Sequence, residues 1–129
     1  MKTIHKSGKR KASIAKASLS PGKGIVRINK IPLKHYSNEL LRMKIEEPIL
    51  LAGNISKFNI DVNVKGGGIT GQAESSRLAI ARCLVETNPS LKKVFLEYDR
   101  NLLVADTRHT EVSKPNDSKP RKKRQKSYR

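Results

Sequence analysis

The stretch from Lys57 to Thr87 constrains this chain most. Phe58, Ile60, Val62 and Val64 alternate with Asn59, Asp61 and Asn63. Such alternation places apolar side chains on one face of a strand and polar ones on the other, so one face is expected to be buried and one wet. Gly66-Gly67-Gly68 ends the strand, and from Gln72 to Thr87 the spacing becomes helical, with Ala73, Ile80 and Leu84 seven and four residues apart. Ser75, Arg82 and Glu86 fall on the opposite, polar face of that helix. Arg77 projects onto the apolar arc, where its stem is expected to cross the core and present its guanidinium at the glycines.

Two readings of the glycine run stay open. Glycines let a backbone approach a ligand closely, and the unpaired amides of a helix start favour an anion such as a phosphate. A tight turn that only packs helix on sheet fits equally well, and no Gly-Lys-Ser/Thr follows to make a Walker loop.

Elsewhere, Ser13 to Leu19 alternates weakly and suits a strand, Ser20-Pro21-Gly22-Lys23-Gly24 suits a turn, and Ile25 to Ile28 is expected to return antiparallel as a basic hairpin. Ser37 is placed to cap a helix starting at Asn38, which Pro48 interrupts or kinks, leaving Ile49 to Ala52 as a second short turn. Leu91 to Tyr98 reads as another short helix and Leu102 to Ala105 as a short strand leading to Asp106. Tyr36 and Phe95 are expected to pack in the core, with Cys83 a small buried residue on the apolar side of its helix.

The 129 residues suit one domain, and the net charge of +17 calls for a polyanionic partner. Residues 1 to 34 hold ten Lys/Arg and no acid, residues 113 to 129 hold eight Lys/Arg and one acid, and residues 35 to 112 balance ten against ten. Residues 113–129 also lack Leu, Ile, Val, Phe and Met. They cannot bury enough apolar area to offset about 1 to 2 kcal/mol of backbone entropy per residue, and are expected to be disordered when alone. The boundaries read as a globular body, 1–112, and an extended basic tail, 113–129. Guanidinium forks, ammonium groups and Tyr128 suit the tail to phosphates and base faces; a solvating or localisation tail is the alternative.

Catalysis finds little support. His5, His35 and His109 are scattered, no Gly-x-Ser-x-Gly elbow occurs, and no His or carboxylate spacing suggests a metal. A lone cysteine fits a reducing compartment, and neither a membrane-length apolar run nor a secretory signal is visible, so the expected location is cytoplasmic. A free nucleic-acid chaperone that compacts DNA fits the same charge distribution, and the glycine run keeps a phosphate-handling enzyme in view.

The run Gly66-Gly67-Gly68-Ile69-Thr70-Gly71-Gln72-Ala73, followed by Arg77, Ala79-Ile80-Ala81-Arg82 and Leu84, resembles the signature of a known family, that of the ninth ribosomal protein of the small subunit. Gly8-Lys9-Arg10-Lys11, Pro21-Gly22-Lys23-Gly24 through Asn29 and Tyr36, Asp106-Thr107-Arg108 and the terminal Gln125-Lys126-Ser127-Tyr128-Arg129 agree in order and spacing. The ending is similar to that of archaeal and eukaryotic members.

The resemblance implies an α+β fold, a single domain whose mixed sheet is packed by helices with a left-handed β-α-β crossover, as in the second domain of the fifth small-subunit ribosomal protein. It implies a structural role in the head of the small subunit, with no enzymatic activity, cofactor, metal, small-molecule substrate or membrane. The implied partners are small-subunit ribosomal RNA, peptidyl-site tRNA and neighbouring head proteins. For ribosomal RNA the implied residues are Lys9, Arg10, Lys11 and Lys23 near the start, then Gly66, Gly67, Gly68, Gln72 and Arg77 at the signature. Arg108 and the tail residues Arg121, Lys122, Lys123 and Arg124 complete that set. For tRNA they are Lys126, Ser127, Tyr128 and Arg129. The chain departs from the family pattern at Glu74, Ser75 and Ser76, and in the less basic stretch after Thr110, where Asn116 is expected to replace a glycine in a tight turn.

Overall fold

A computed structural model describes residues 2–116 and 118–121. The elements run β1 (Ile4–Arg10), β2 (Ser13–Pro21), β3 (Val26–Ile28), β4 (Ile31–Pro32), α1 (Glu39–Ala52), β5 (Phe58–Lys65), α2 (Ile69–Thr87) and α3 (Leu91–Tyr98), with 3-10 turns at Leu33–His35 and Arg100–Leu102. The fold is α+β, a five-stranded mixed sheet with helices packed on it. Strand order is β1-β2-β5-β3-β4.

The clean alternation of β5 takes it to the middle of the sheet, where both edges of its backbone are paired. It lies antiparallel to β2, with Ala17 opposite Val62, and parallel to β3, with Ile28 opposite Val62. The expected hairpin between Ser13–Leu19 and Ile25–Ile28 does not form, because β5 lies between them. The 22–25 segment instead wraps the end of β5: the Asn59 carboxamide oxygen accepts from the amides of Lys23 (2.8 Å) and Ile25 (3.1 Å). The hairpin that does form joins β2 to β1, the basic opening to which no element was assigned from sequence, across Lys11 and Ala12. The parallel pair β3 and β5 is joined through β4 and α1.

The pleat sends Ala15, Ala17, Leu19, Ile60, Val62 and Val64 into the core under the helices, as the alternation predicts. Asn38, one residue after the expected cap, is the N-cap of α1, its side chain accepting from Leu41 N at 3.0 Å. The helix continues through Pro48 to Ala52 as one element. Phe95 and Cys83 are fully buried and Tyr36 nearly so, all as expected. Leu102–Ala105 is not a strand. Asp99 accepts from Asn101 N at 3.0 Å and starts a 3-10 turn that buries Leu102, and the Leu103 carbonyl accepts from Arg82 of α2 at 3.1 Å in place of a strand partner. Asn116 has φ +68°, the left-handed conformation expected of a residue standing in for glycine.

The face of α2 read as polar is covered by β1 and β2. Ser75 is buried, its Oγ 2.8 Å from Ser13 Oγ. Arg82 donates to the Ser7 carbonyl at 2.7 Å, and Glu86 pairs with Lys6 at 3.2 Å. The approach is so close that a Cβ at Gly8 would stand 2.3 Å from the Ser75 carbonyl oxygen and 2.8 Å from Ala79 N, both backbone atoms. Gly8→Ala is therefore expected to destabilise the protein by about 1 to 3 kcal/mol, read as a lowered urea midpoint with an unchanged m-value.

Candidate nucleic-acid interface

The turn from β5 into α2 settles part of the ambiguity in the glycine run. Gly66 and Gly67 have φ +79° and +67°, and a Cβ on either would press on Ala12 or Ser13, at 2.6 Å from the Ala12 carbonyl oxygen and 3.1 Å from Ser13 N. Those two glycines serve the turn itself. Gly68 is different: it is the N-cap of α2, with φ −90°, and a Cβ there would meet nothing within 4 Å. Among the described residues no side chain caps this helix start. The first-turn amides of Ile69, Thr70 and Gly71 consequently lack helical acceptors and carry the positive end of a 19-residue helix.

Ile69, Thr70 and Gly71 line a cleft of about 670 Å³ together with Arg10, Lys11, Ala12, Gly67, Gly68, His109 and Thr110. Among the described residues no carboxylate lines it. Lys11 is exposed at the tip of the β1–β2 hairpin, in the left-handed conformation (φ 52°). Free amides, a lysine and no acid suit a phosphodiester oxygen. Ala12, Ile69, Thr70, Gly71, His109 and Thr110 line this cleft without having been assigned to RNA binding from sequence. The last two arrive only because the chain after α3 returns beside the hairpin.

Beside the cleft lies a network of charges. Arg10 Nε pairs with Glu74 at 2.8 Å, its Nη1 donates to the Arg108 carbonyl at 2.9 Å, and its Nη2 lies 3.7 Å from Asp106. Lys44 reaches Glu74 at 3.2 Å, and Arg108 clasps Asp106 at 2.7 Å. Arg77 does not reach the glycine loop: Glu47 and Asp99 (3.2 Å) hold its guanidinium across α1, α2 and the start of the C-terminal segment. Two carboxylates within reach outcompete a loop further along. These groups surround a polar hollow of about 250 Å³. Burial opposes ionisation of Glu74, yet hydrogen bonds from Arg10 and Lys44 outweigh it and hold the carboxyl below its usual range. Hydrogen bonds from the Arg108 side chain and backbone hold Asp106 well below the usual carboxylate range.

Of the other expected RNA residues, Lys9 and Lys23 are exposed, and Gln72 donates to the Gly66 carbonyl at 3.2 Å, bracing the turn. Arg108 and Arg121 are exposed while pairing with Asp106 and Glu111. Lys122, Lys123, Arg124, Lys126, Ser127, Tyr128 and Arg129 lie outside the described residues.

Among the described residues no group of three or more His, Cys, Asp or Glu is placed to hold a metal ion, and no helix is long and apolar enough to cross a membrane. Burial pushes the Cys83 thiol up to about 11, and its Sγ faces the Ala17 carbonyl at 3.7 Å, a packed and unreactive position.

Residues 8–129 match the family model described as ribosomal protein S9/S16. The chain belongs to the ribosomal protein S9 family. Over their full lengths, the small ribosomal subunit protein uS9 of Methanococcus maripaludis strain C7 is 47% identical to it and that of Methanococcus vannielii 46%. The S9 family comprises structural proteins of the ribosome and not enzymes. The matched range takes in both the cleft and the charge network.

Because Glu74 and Asp106 are more acidic folded than unfolded, their contribution is fully present above the ordinary carboxylate range, roughly pH 4. It is lost as pH falls through the lowered folded values. Stability in urea is expected to drop between about pH 5 and pH 2, and a Glu74→Gln variant, less stable at neutral pH, is expected to show a flatter profile over that interval.

Proposed function

We propose that this chain is a structural constituent of the head of the small ribosomal subunit in the cytoplasm. Its body sits on ribosomal RNA, and residues 113–129 extend to the tRNA in the peptidyl site. Membership of the S9 family supports the ribosomal assignment and RNA binding. The observation that carries the RNA reading is the cleft at the start of α2, lined by the first-turn residues Ile69, Thr70 and Gly71 and by Lys11 and, among the described residues, by no carboxylate. Such groups bind backbone phosphate by charge and shape and read no base edges, which is the task of a positioning protein. Lys9, Lys11, Lys23 and Gly68 are the body residues open to that contact. Arg10, Gln72 and Arg77 act chiefly by bracing the surface, since carboxylates hold the two guanidinium groups and a backbone carbonyl accepts from the Gln72 carboxamide.

The tail is the second contact. Eight Lys/Arg and one acid in residues 113–129, with almost no apolar side chains, give a segment whose only strong interaction is with polyanions. Arg121 to Arg124 would follow ribosomal RNA, and Lys126, Ser127, Tyr128 and Arg129 would meet the anticodon stem-loop backbone, with Arg129 able to grip a phosphate through two parallel hydrogen bonds. Neighbouring head proteins are the remaining partners.

Subunits carrying a chain that lacks residues 126–129 are expected to assemble normally yet hold peptidyl-site tRNA several-fold less tightly, with lower initiation fidelity. Filter binding of tRNA to programmed subunits measures this. Unchanged tRNA affinity and fidelity would remove the tRNA contact and leave ribosomal residence standing.

A further inference from the structure

The helices cover one face of the sheet, and the charge on the other face is unbalanced. The strands together carry six basic residues, Lys6, Lys9, Arg10, Lys16, Arg27 and Lys65, and a single acid, Asp61. Lys6 and Arg10 turn toward the helices, where Glu86 and Glu74 neutralise them. Arg27 takes Asp61 in a two-pronged pair at 2.7 and 3.0 Å. Lys9, Lys16 and Lys65 are exposed, and among the described residues none of the three has a carboxylate partner.

The register gathers these three lysines. Ile14 lies opposite Lys9 on one side and Lys65 on the other, and Lys16, two residues along β2, lies opposite Asn63. With strands about 4.8 Å apart and residues about 3.3 Å apart, the three lysine Cα atoms stand roughly 8 to 10 Å from one another. Ile14, in their midst, is 46% exposed. Ala12, Ile14, Lys16, Asn63, Lys65 and Gly66 line a shallow depression of about 640 Å³. Like charges on neighbouring strands destabilise a sheet, so this cluster gains most from a partner of opposite charge that also covers Ile14.

We propose that this open face is a second RNA-docking surface, where Lys16, Lys65 and Lys9 hold phosphates of an RNA backbone, Ile14 packs against ribose and Asn63 meets a 2′-hydroxyl. Among the described residues no Phe, Tyr or Trp lies at the centre of the face, so contact is by charge and shape, without base stacking. Ala12 lines both this depression and the cleft at the start of α2, which lets one RNA segment run from the helix start over the hairpin and onto the sheet. The inference rests on the ribosomal RNA reading and adds a surface to it.

The test is binding of the full-length chain to purified small-subunit ribosomal RNA as a function of salt. Lys16→Gln/Lys65→Gln is compared with wild type, with Lys16→Arg/Lys65→Arg, and with Lys92→Gln/Lys93→Gln on the exposed side of α3. Thermal melts check that all are folded. Each lost phosphate contact makes the log-log salt slope shallower by about 0.7. The paired glutamine change on the sheet is expected to lose about 1.4, with the arginine pair keeping the wild-type slope and the α3 pair close to it. An unchanged slope in Lys16→Gln/Lys65→Gln would overturn the proposal, as would an equal loss in the α3 pair, which would reduce the effect to net charge. A wild-type slope accompanied by poor incorporation into subunits would assign the face to an acidic protein neighbour and also overturn it. A wild-type chain with no steep salt-dependent RNA binding would instead strike at the ribosomal RNA reading itself.

Discussion

The close approach of α2 to the β1–β2 hairpin fixes where every other element sits. Gly8 leaves no room for a side chain against the α2 backbone, and the Ser13–Ser75 hydrogen bond replaces what would otherwise be an apolar contact with one that small polar groups can make at short range. Gly66 and Gly67 then turn the chain from β5 into α2 with almost no separation from Ala12 and Ser13. Interiors packed at such density transmit position faithfully. The Lys11 hairpin tip therefore stands beside the first turn of α2, and the cleft between them follows from packing forced on both elements by small residues.

Charge is partitioned by the same geometry. Residues 35–112 are neutral by count, yet the carboxylates do not screen the basic residues evenly. Glu47, Glu74, Glu86, Asp99 and Asp106 lie on the helix layer and the C-terminal segment, where they hold Arg77, Arg10, Lys44, Lys6 and Arg108. Arg10 ties the hairpin to α2 and to residues 106–108 at once, so the chain leaves the body from a fixed point. The cleft and the outer face of the sheet are left cationic, and a formally balanced body presents a polarised surface to its surroundings.

What the sequence showed plainly was local. The alternation in β5, the period of α2, the polar cap ahead of α1, the short α3 and the turn role of Asn116 each follow from side-chain spacing or a backbone preference held within a few residues. What it hid was decided by partners far along the chain. Nothing local marks Ile4–Arg10 as a strand; it becomes one because β2 has an open edge. Ile25–Ile28 looks like the return arm of a hairpin until β5, some thirty residues on, competes for the same edge and wins with a longer alternating run. The outer face of α2 reads as polar because Ser75 and Arg82 are polar, and only the close approach of Gly8 shows why small and hydrogen-bonding residues belong there. In the candidate site, Lys11 and the glycines were legible through their motif, whereas Arg77 was misplaced because its two carboxylate partners sit in other elements. Lys16 and Lys65 carried no local signal at all, since their neighbourhood exists only through strand register.

The central claim, that this cationic surface belongs in a ribosomal particle, is tested most directly by separating cell lysate on sucrose gradients at moderate and then high salt and probing each fraction for the chain. The chain is expected to sediment with small subunits and to stay with them at high salt, held by packed contacts as well as by charge. Recovery only at the top of the gradient, or with bulk DNA, would contradict it and point to a free nucleic-acid chaperone.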